Sequence, residues 1–271
     1  MAQYGKTLEM IDKVLARGDV MGIDIAGPEE GKFTAEGVQR FLEMYDHVSM
    51  AARARGRELV LRPHVGEGYA GPGAEDAAHV EVARANLQTL LDGLAKLGYS
   101  AAKGKADGVI IRFGHATHAT PEQILRMKNL GLIAEANIGS NLATGSIASL
   151  DGHPLLYNLY FDEPTILSTD GHGVMRTNLR SEYETAERII NDFKAGQSKI
   201  TIDGVAKQYE NRRDPNNTSG DPRFLTSDEK ARFNIERLKN WAAEYGNRVK
   251  TGDASEAAKH ARDIAPSKQV P

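Results

Sequence analysis

The sequence predicts an α/β protein built on a parallel sheet with helical crossovers. Three observations carry that reading: short β-branched apolar runs recur along the chain, segments with apolar residues at spacings of three and four separate them, and nearly every run ends in a polar residue or a glycine-rich turn. The first run is Val20-Met21-Gly22-Ile23-Asp24-Ile25, followed by Ala26-Gly27-Pro28-Glu29. Val38, Phe41, Leu42, Tyr45 and Val48 then fall on one helical face before the second run, Leu59-Val60-Leu61. Leu87, Leu90, Leu91, Leu94 and Leu97 form the next helical face, a packing surface for a sheet, and the third run, Val109-Ile110-Ile111-Arg112-Phe113, follows. Thr120-Pro121-Glu122-Gln123 is a capping box with proline at the first helical position, ahead of Ile124, Met127 and Leu130. The fourth run is Leu132-Ile133-Ala134-Glu135-Ala136 and the fifth Thr165-Ile166-Leu167.

Beyond Asp170 the pattern changes. One helix is expected over about Leu179 to Lys194, and Arg212 to Ser219, with Pro215 and Asn216-Asn217, reads as a loop or linker. Thr226-Ser227-Asp228-Glu229 is a second capping box, expected to open a helix that carries Phe233, Leu238, Trp241 and Tyr245 and ends near Gly246. The expected organisation is an N-terminal helix over 1–19, a barrel-derived region with C-terminal helices over 20–246, and a flexible tail over 247–271.

Composition narrows the function. A chain of 271 residues, 40% hydrophobic and 26% charged, is long enough for a sizeable core and excludes wholesale disorder. Its 34 basic and 37 acidic residues leave a net charge of −3, which argues against nucleic acid or anionic lipid as a bulk electrostatic partner. With no cysteine, thiolate nucleophiles and Cys-ligated metals are excluded, so any metal must sit on His, Asp or Glu. Charged residues interrupt the first twenty positions, and no apolar run approaches the roughly 18 residues that cross a bilayer. The expectation is a soluble, cytoplasmic protein without a cleaved secretion signal.

The strand ends carry the chemistry. The second run leads into His64-Val65-Gly66-Glu67, the third into Gly114-His115 and the fifth into Thr169-Asp170-Gly171-His172. In parallel α/β folds the carboxyl ends of the strands face one shared pocket, so these groups converge. A His and an Asp can hold zinc or another divalent ion, a second His can orient or deprotonate a water, and a Glu can shuttle a proton. His64, Glu67, His115 and Asp170 are the candidates for those roles. Bland alternatives exist for each: structural histidines at strand ends, a turn or cap aspartate, a solvated loop glutamate, and turn chemistry at Gly27. His118 and His172 read as loop polarity, His153 as a residue that positions a loop or helix start, and His47, His79 and His260 as helical, mostly exposed positions. Glu135, Ser140 and Asn141 are expected to build the rim without acting chemically.

These motifs, in order, resemble the adenosine deaminase family of metal-dependent hydrolases: Gly22 to Glu29, His64-Val65-Gly66-Glu67, Arg112-Phe113-Gly114-His115, Glu135 to Asn141, His153-Pro154-Leu155, and Leu167-Ser168-Thr169-Asp170 with Glu182-Tyr183 beyond. Pro222-Arg223-Phe224-Leu225 with Glu229-Lys230 resembles that family's C-terminal region, and the similarity covers about residues 20–246. The resemblance implies a (β/α)8 barrel and zinc-dependent hydrolytic deamination of a purine nucleoside or related aminopurine. It further implies that His64 and Asp170 are metal ligands and that Glu67 protonates a purine ring nitrogen. His115 would orient and deprotonate the attacking water, while Gly27, with Glu29 and Gly171 nearby, would bind the purine.

Two departures qualify the match. No His-x-His is present, although the family's first strand supplies two metal ligands in that form, and about five βα units are visible where a closed barrel needs eight. Another chain, or self-association, is therefore expected to complete the barrel. Gly171 stands where the family usually has a second aspartate that bonds the purine, which puts adenosine itself in question. The alternative reading is a catalytically inactive, deaminase-like interaction or scaffold module. A related possibility is a toxin-like effector that works only once assembled.

Overall fold

The computed structural model describes residues 2–27, 29–68, 76–210 and 221–251 and contains a five-stranded parallel sheet laid down in chain order. Its strands are β1 (Gly22–Ile25), β2 (Leu59–Val65), β3 (Val109–His115), β4 (Ile133–Ala136) and β5 (Thr165–Leu167); β6 (Ile200–Ile202) and β7 (Val205–Lys207) form a separate antiparallel hairpin. The helices preceding or connecting the sheet strands are α1 (Ala2–Leu15), α2 (Ala35–Arg55), α3 (Ala77–Lys96), α4 (Ala101–Asp107), α5 (Pro121–Leu130), α6 (Ile138–Thr144) and α7 (Leu155–Phe161). Those that follow are α8 (His172–Met175), α9 (Leu179–Lys194), α10 (Ser227–Arg232) and α11 (Ile235–Thr251). Each strand lies beside its predecessor, with Asp24 opposite Arg62 and Val65 opposite His115. This is the winding of a barrel wall, and a closed wall needs eight strands. The chain is a partial barrel whose edges, among the described residues, are β1 and β5.

Period-two alternation gives the wall two faces. On the helix side Leu59, Leu61, Val65, Val109, Ile111 and Phe113 pack with residues of α2 and α3, including Phe41, Tyr45, Leu87 and Leu91, in one buried cluster. Burying each large apolar side chain stabilises the fold by roughly 1.5–3 kcal/mol. On the inner side a small apolar layer of Val60, Ile110 and Ile133, with Ile166 and Tyr245 against it, lies below a charged layer. There Arg62 bridges Asp24 and Glu135, and Arg112 Nε lies 2.7 Å from the second oxygen of Glu135. A cavity of about 740 Å³ opens onto this layer and reaches Asp170 and Gly171. A second core gathers α7, α9, the hairpin, α11 and the residues Leu225 and Phe233 that flank α10 around Leu159, Phe193 and Trp241.

Sequence signals locate most elements. Thr120 accepts from Gln123 N while the Gln123 side chain answers Thr120 N, so α5 begins where its capping box predicts. The helix expected from Leu179 to Lys194 is α9. The second capping box also forms, Thr226 with Glu229, but the single helix expected after it is two. Phe233 leaves helical geometry to bury its ring beside Phe193, and Asn234 Oδ1 accepts from Glu236 N at 3.0 Å to start α11. That helix runs to Thr251, so Gly246 lies inside it and not at its end, and it extends into the stretch expected as tail. Residues 252–271 and the expected linker from Arg212 to Ser219 lie outside the described residues. No described helix is long and apolar enough to cross a membrane.

Candidate active site

Three strand ends build the site. His64 is the penultimate residue of β2 and Glu67 lies on the turn just beyond it. His115 ends β3, and Asp170 follows β5 after Ser168 and Thr169. Strict alternation would put His115 on the helix side with Ile111 and Phe113, but its φ of 69°, with 48° at Ala116, turns the chain over. The ring lies edge-on to His64, centroids 4.9 Å apart. Asp170 is likewise left-handed, at φ 52°. Such conformations cost non-glycine residues of order 1–3 kcal/mol and persist where the surroundings impose them. Gly114 completes the fit, because a Cβ there would meet His64 Cδ2 at 2.9 Å.

The titrating groups interlock. His115 Nδ1 lies 3.3 Å from Glu67 Oε1 and its Nε2 3.9 Å from Asp170 Oδ2. Burial, reinforced by His64, holds His115 well below the ordinary histidine range, so the ring is neutral. Burial, with the charges of Asp170 and Glu29 added, pushes the Glu67 carboxyl up to about 7. For Asp170 burial acts upward but is outweighed by the Ser140 hydroxyl, which donates to Oδ2 at 2.8 Å, and by His115 and His64, so this carboxyl stays ionised. A neutral imidazole, a carboxyl poised near neutrality and a carboxylate thus meet within one pocket, the combination that general acid–base chemistry requires.

His64, Glu67 and His115 each bring one ligand atom within 4.8 Å of the others. His115 Nε2 is buried without a hydrogen-bond partner. Two imidazoles and a carboxylate suit a divalent ion of the zinc type, so the residues fit a metal. His64 Nε2, however, lies 2.7 Å from an Arg62 guanidinium nitrogen and 3.2 Å from Asp24 Oδ1, so an ion binding there must displace Arg62.

The remaining sequence candidates fall in different places. Gly27 and Gly171 are exposed at the strand-end side of the wall, Gly171 on the edge of the cavity. Glu29, expected to bind substrate, is 4% exposed, and its carboxylate accepts from Gly68 N at 2.7 Å and Asn86 Nδ2 at 3.2 Å. Desolvated and satisfied from within, it braces the turn that carries Glu67. His153 accepts from Leu155 N at 3.1 Å and so positions the start of α7. His47, expected to be mostly exposed, pairs with Asp12 at 2.6 Å and docks α1 on α2. Ser140 and Asn141, expected as passive rim, instead bond to Asp170 and His115. Their order in the chain carried no signal of this, because the partners lie 30 and 26 residues away.

No protein-family profile matches the chain. An adenosine deaminase-like protein of Drosophila melanogaster is 25% identical over 191 residues, covering 70% of this chain and 45% of that protein. The adenosine deaminase of Pectobacterium atrosepticum is 25% identical over 206 residues, 73% of this chain and 50% of that one. An N6-mAMP deaminase of Arabidopsis thaliana is 39% identical over 86 residues, 31% of this chain and 24% of that one. The crystal structure of Arabidopsis ADAL complexed with IMP superposes with a TM-score of 0.54 at 20% identity, covering 96% of this chain and 54% of that chain. Fold and site together define a partial α/β barrel with its polar centre at the carboxyl ends of the strands. Among such proteins, the sequence similarities support membership of the adenosine deaminase family, and the chain spans about half the length of the first two relatives.

Proposed function

We propose that this chain supplies the catalytic rim of a zinc-dependent purine deaminase, which replaces the amino substituent of an adenosine-like nucleoside or nucleotide with oxygen from water. The observation that carries this reading is the meeting of Glu67, His115 and Asp170 beside His64, each from a different strand end. The names of relatives, which include an N6-mAMP deaminase, support a purine substrate carrying an amino or alkylamino group. A cytoplasmic setting belongs to the same proposal.

Of the groups gathered there, His64 and Asp170 would hold the ion while Glu67 and His115 stay off it to handle proton and water, with further ligands from a segment that completes the barrel, in another chain or a second copy. When bound, such an ion lowers the pKa of its water toward 7. Asp170, held by Ser140, accepts the proton of the attacking water, and the neutral His115 orients that water through the ring nitrogen that faces Asp170. Glu67 in its protonated form donates to the ring nitrogen beside the reacting carbon. A C–O bond forms, the C–N bond to the amino group breaks, ammonia or an alkylamine leaves with the proton taken from water, and the proton left on the new oxygen returns to Glu67 as the oxo product forms. Gly171 presents no side chain to the purine, so the substrate differs from adenosine in what it asks of that position.

The Arg62 contact to His64 Nε2 favours a second reading, a deaminase-like interaction module that binds no metal. One experiment separates the two: elemental analysis and light scattering of the same purified sample, followed by ammonia and alkylamine release from adenosine, AMP and N6-methyl-AMP. About one zinc per chain in a defined assembly, with release abolished in His115→Ala, supports the deaminase. A metal-free particle after zinc loading, inert on all three, overturns it and supports the module.

A further inference from the structure

Ser140 and Asn141 are consecutive, fully buried residues in the single short helix α6, and each makes a side-chain bond to a different group of the site. Ser140 Oγ donates to Asp170 Oδ2 at 2.8 Å, and Asn141 Nδ2 lies 3.0 Å from His115 Nδ1. With Nδ2 turned toward the ring, Nδ1 accepts and the imidazole proton is left on Nε2, the atom that faces Asp170; Glu67 Oε1, 3.3 Å from the same Nδ1, suits that tautomer in its protonated form. The other amide atom, Asn141 Oδ1, is buried without a partner, so the bond to His115 is the one side-chain bond this amide makes among the described residues. The helix is fixed from outside. Glu182 of α9, 2% exposed, accepts from Gly139 N through both oxygens, at 3.2 and 3.1 Å, and a Cβ on Gly139 would meet that carboxylate at 2.4 Å. Thr144 Oγ1, bonded to Ser140 O at 3.0 Å, closes the turn.

We propose that α6 is the positioning element of this site: Asn141 sets the tautomer and ring plane of His115, Ser140 sets the rotamer of Asp170, and Glu182 clamps the turn that carries both. The inference rests on the deaminase reading for its purpose, but its geometry does not depend on any activity. A helix that holds two reacting groups through adjacent residues fixes their separation as one unit, where two independent supports would let them drift. A misplacement of 1 Å costs on the order of a hundredfold in rate.

The test reads the tautomer directly. Nitrogen-15 spectra of the full chain, labelled at histidine and assigned by loss of signal in His115→Gln, should show the acceptor-type resonance on Nδ1 and the protonated one on Nε2. In Asn141→Asp a carboxylate acceptor faces the ring, and the two resonances should exchange identity; in Asn141→Leu they should average toward a mixture. Backbone spectra of residues remote from α6 should stay unchanged in both. In the zinc-loaded, assembled enzyme Asn141→Asp should lower kcat about 100-fold with KM within threefold, and Asn141→Gln should recover part of the loss. A wild-type ring protonated on Nδ1, or one whose tautomer is the same in Asn141→Asp, overturns the proposal, and the wild-type spectrum decides even where a variant fails to fold. Spectra as expected in a chain inert on every purine refute the deaminase and leave the positioning intact.

Discussion

The two faces of the barrel wall are made from the same strands and obey opposite rules. On the helix side every buried position of β2 and β3 is aliphatic or aromatic, and each contact adds to stability with no partner to lose. On the inner side Asp24, Arg62, Arg112 and Glu135 are mutually dependent: Glu135, 2% exposed, serves both arginines, and neither arginine has an equal substitute for it. Buried ion pairs are weak net contributors when intact and strongly destabilising when half removed. The outer face therefore holds the fold, and the inner one holds the site in place at a standing cost in desolvation.

Removing a reacting group tests that contrast most sharply. His115→Ala and Asp170→Ala should each lower turnover of the assembled enzyme by about 10³-fold or more, while the unfolding midpoint moves by less than about 5 °C; comparable losses of activity and stability would merge the two faces. Glu135→Ala leaves the half-buried Arg112 without its carboxylate and Arg62 with Asp24 alone, and should cost up to about 3–5 kcal/mol in urea unfolding. On the opposite face Leu91→Ala should cost about 2–5 kcal/mol without changing turnover per folded molecule. Glu67 should have the smallest effect on stability, visible there only against pH. Its folded-state carboxyl is raised from 4.5 to about 7, so its contribution to stability is full below the ordinary carboxyl range and is lost as pH rises through 7. Glu67→Gln should match wild type near pH 4 and exceed it by about 1–2 kcal/mol near pH 8, with turnover abolished. Equal stability of the two at both values would place Glu67 in water.

What was legible in the sequence divides along similar lines. All five sheet strands, the capping boxes at Thr120 and Thr226 and the rim positions of His64, Glu67, His115 and Asp170 follow from local pattern, because alternation, caps and strand ends are written in neighbouring residues. The β6–β7 hairpin has a local signal too: Asp203-Gly204, at φ 49° and 75°, is a two-residue turn of the favoured kind between short apolar strands. The break at Phe233 was not legible, since it depends on the aromatic partners Phe193 and Tyr209. Nor were the tasks of Glu29, Ser140 and Asn141. A polar residue's role depends on what tertiary structure sets within 3 Å of it, and for these three the partners come from distant elements.

The left-handed step at the end of β3 has a consequence for anyone who would move or rebuild this site. A strand is a two-beat rhythm, and at His115 and Ala116 the beat is skipped, so a residue numbered for one side of the wall arrives on the other. Grafting Gly114-His115 onto a regular strand would carry the letters without the skipped beat and deliver the imidazole to the wrong side. A glycine at position 116 would make the same step with less strain, by about 1 kcal/mol, so it is the surrounding site that holds alanine to it.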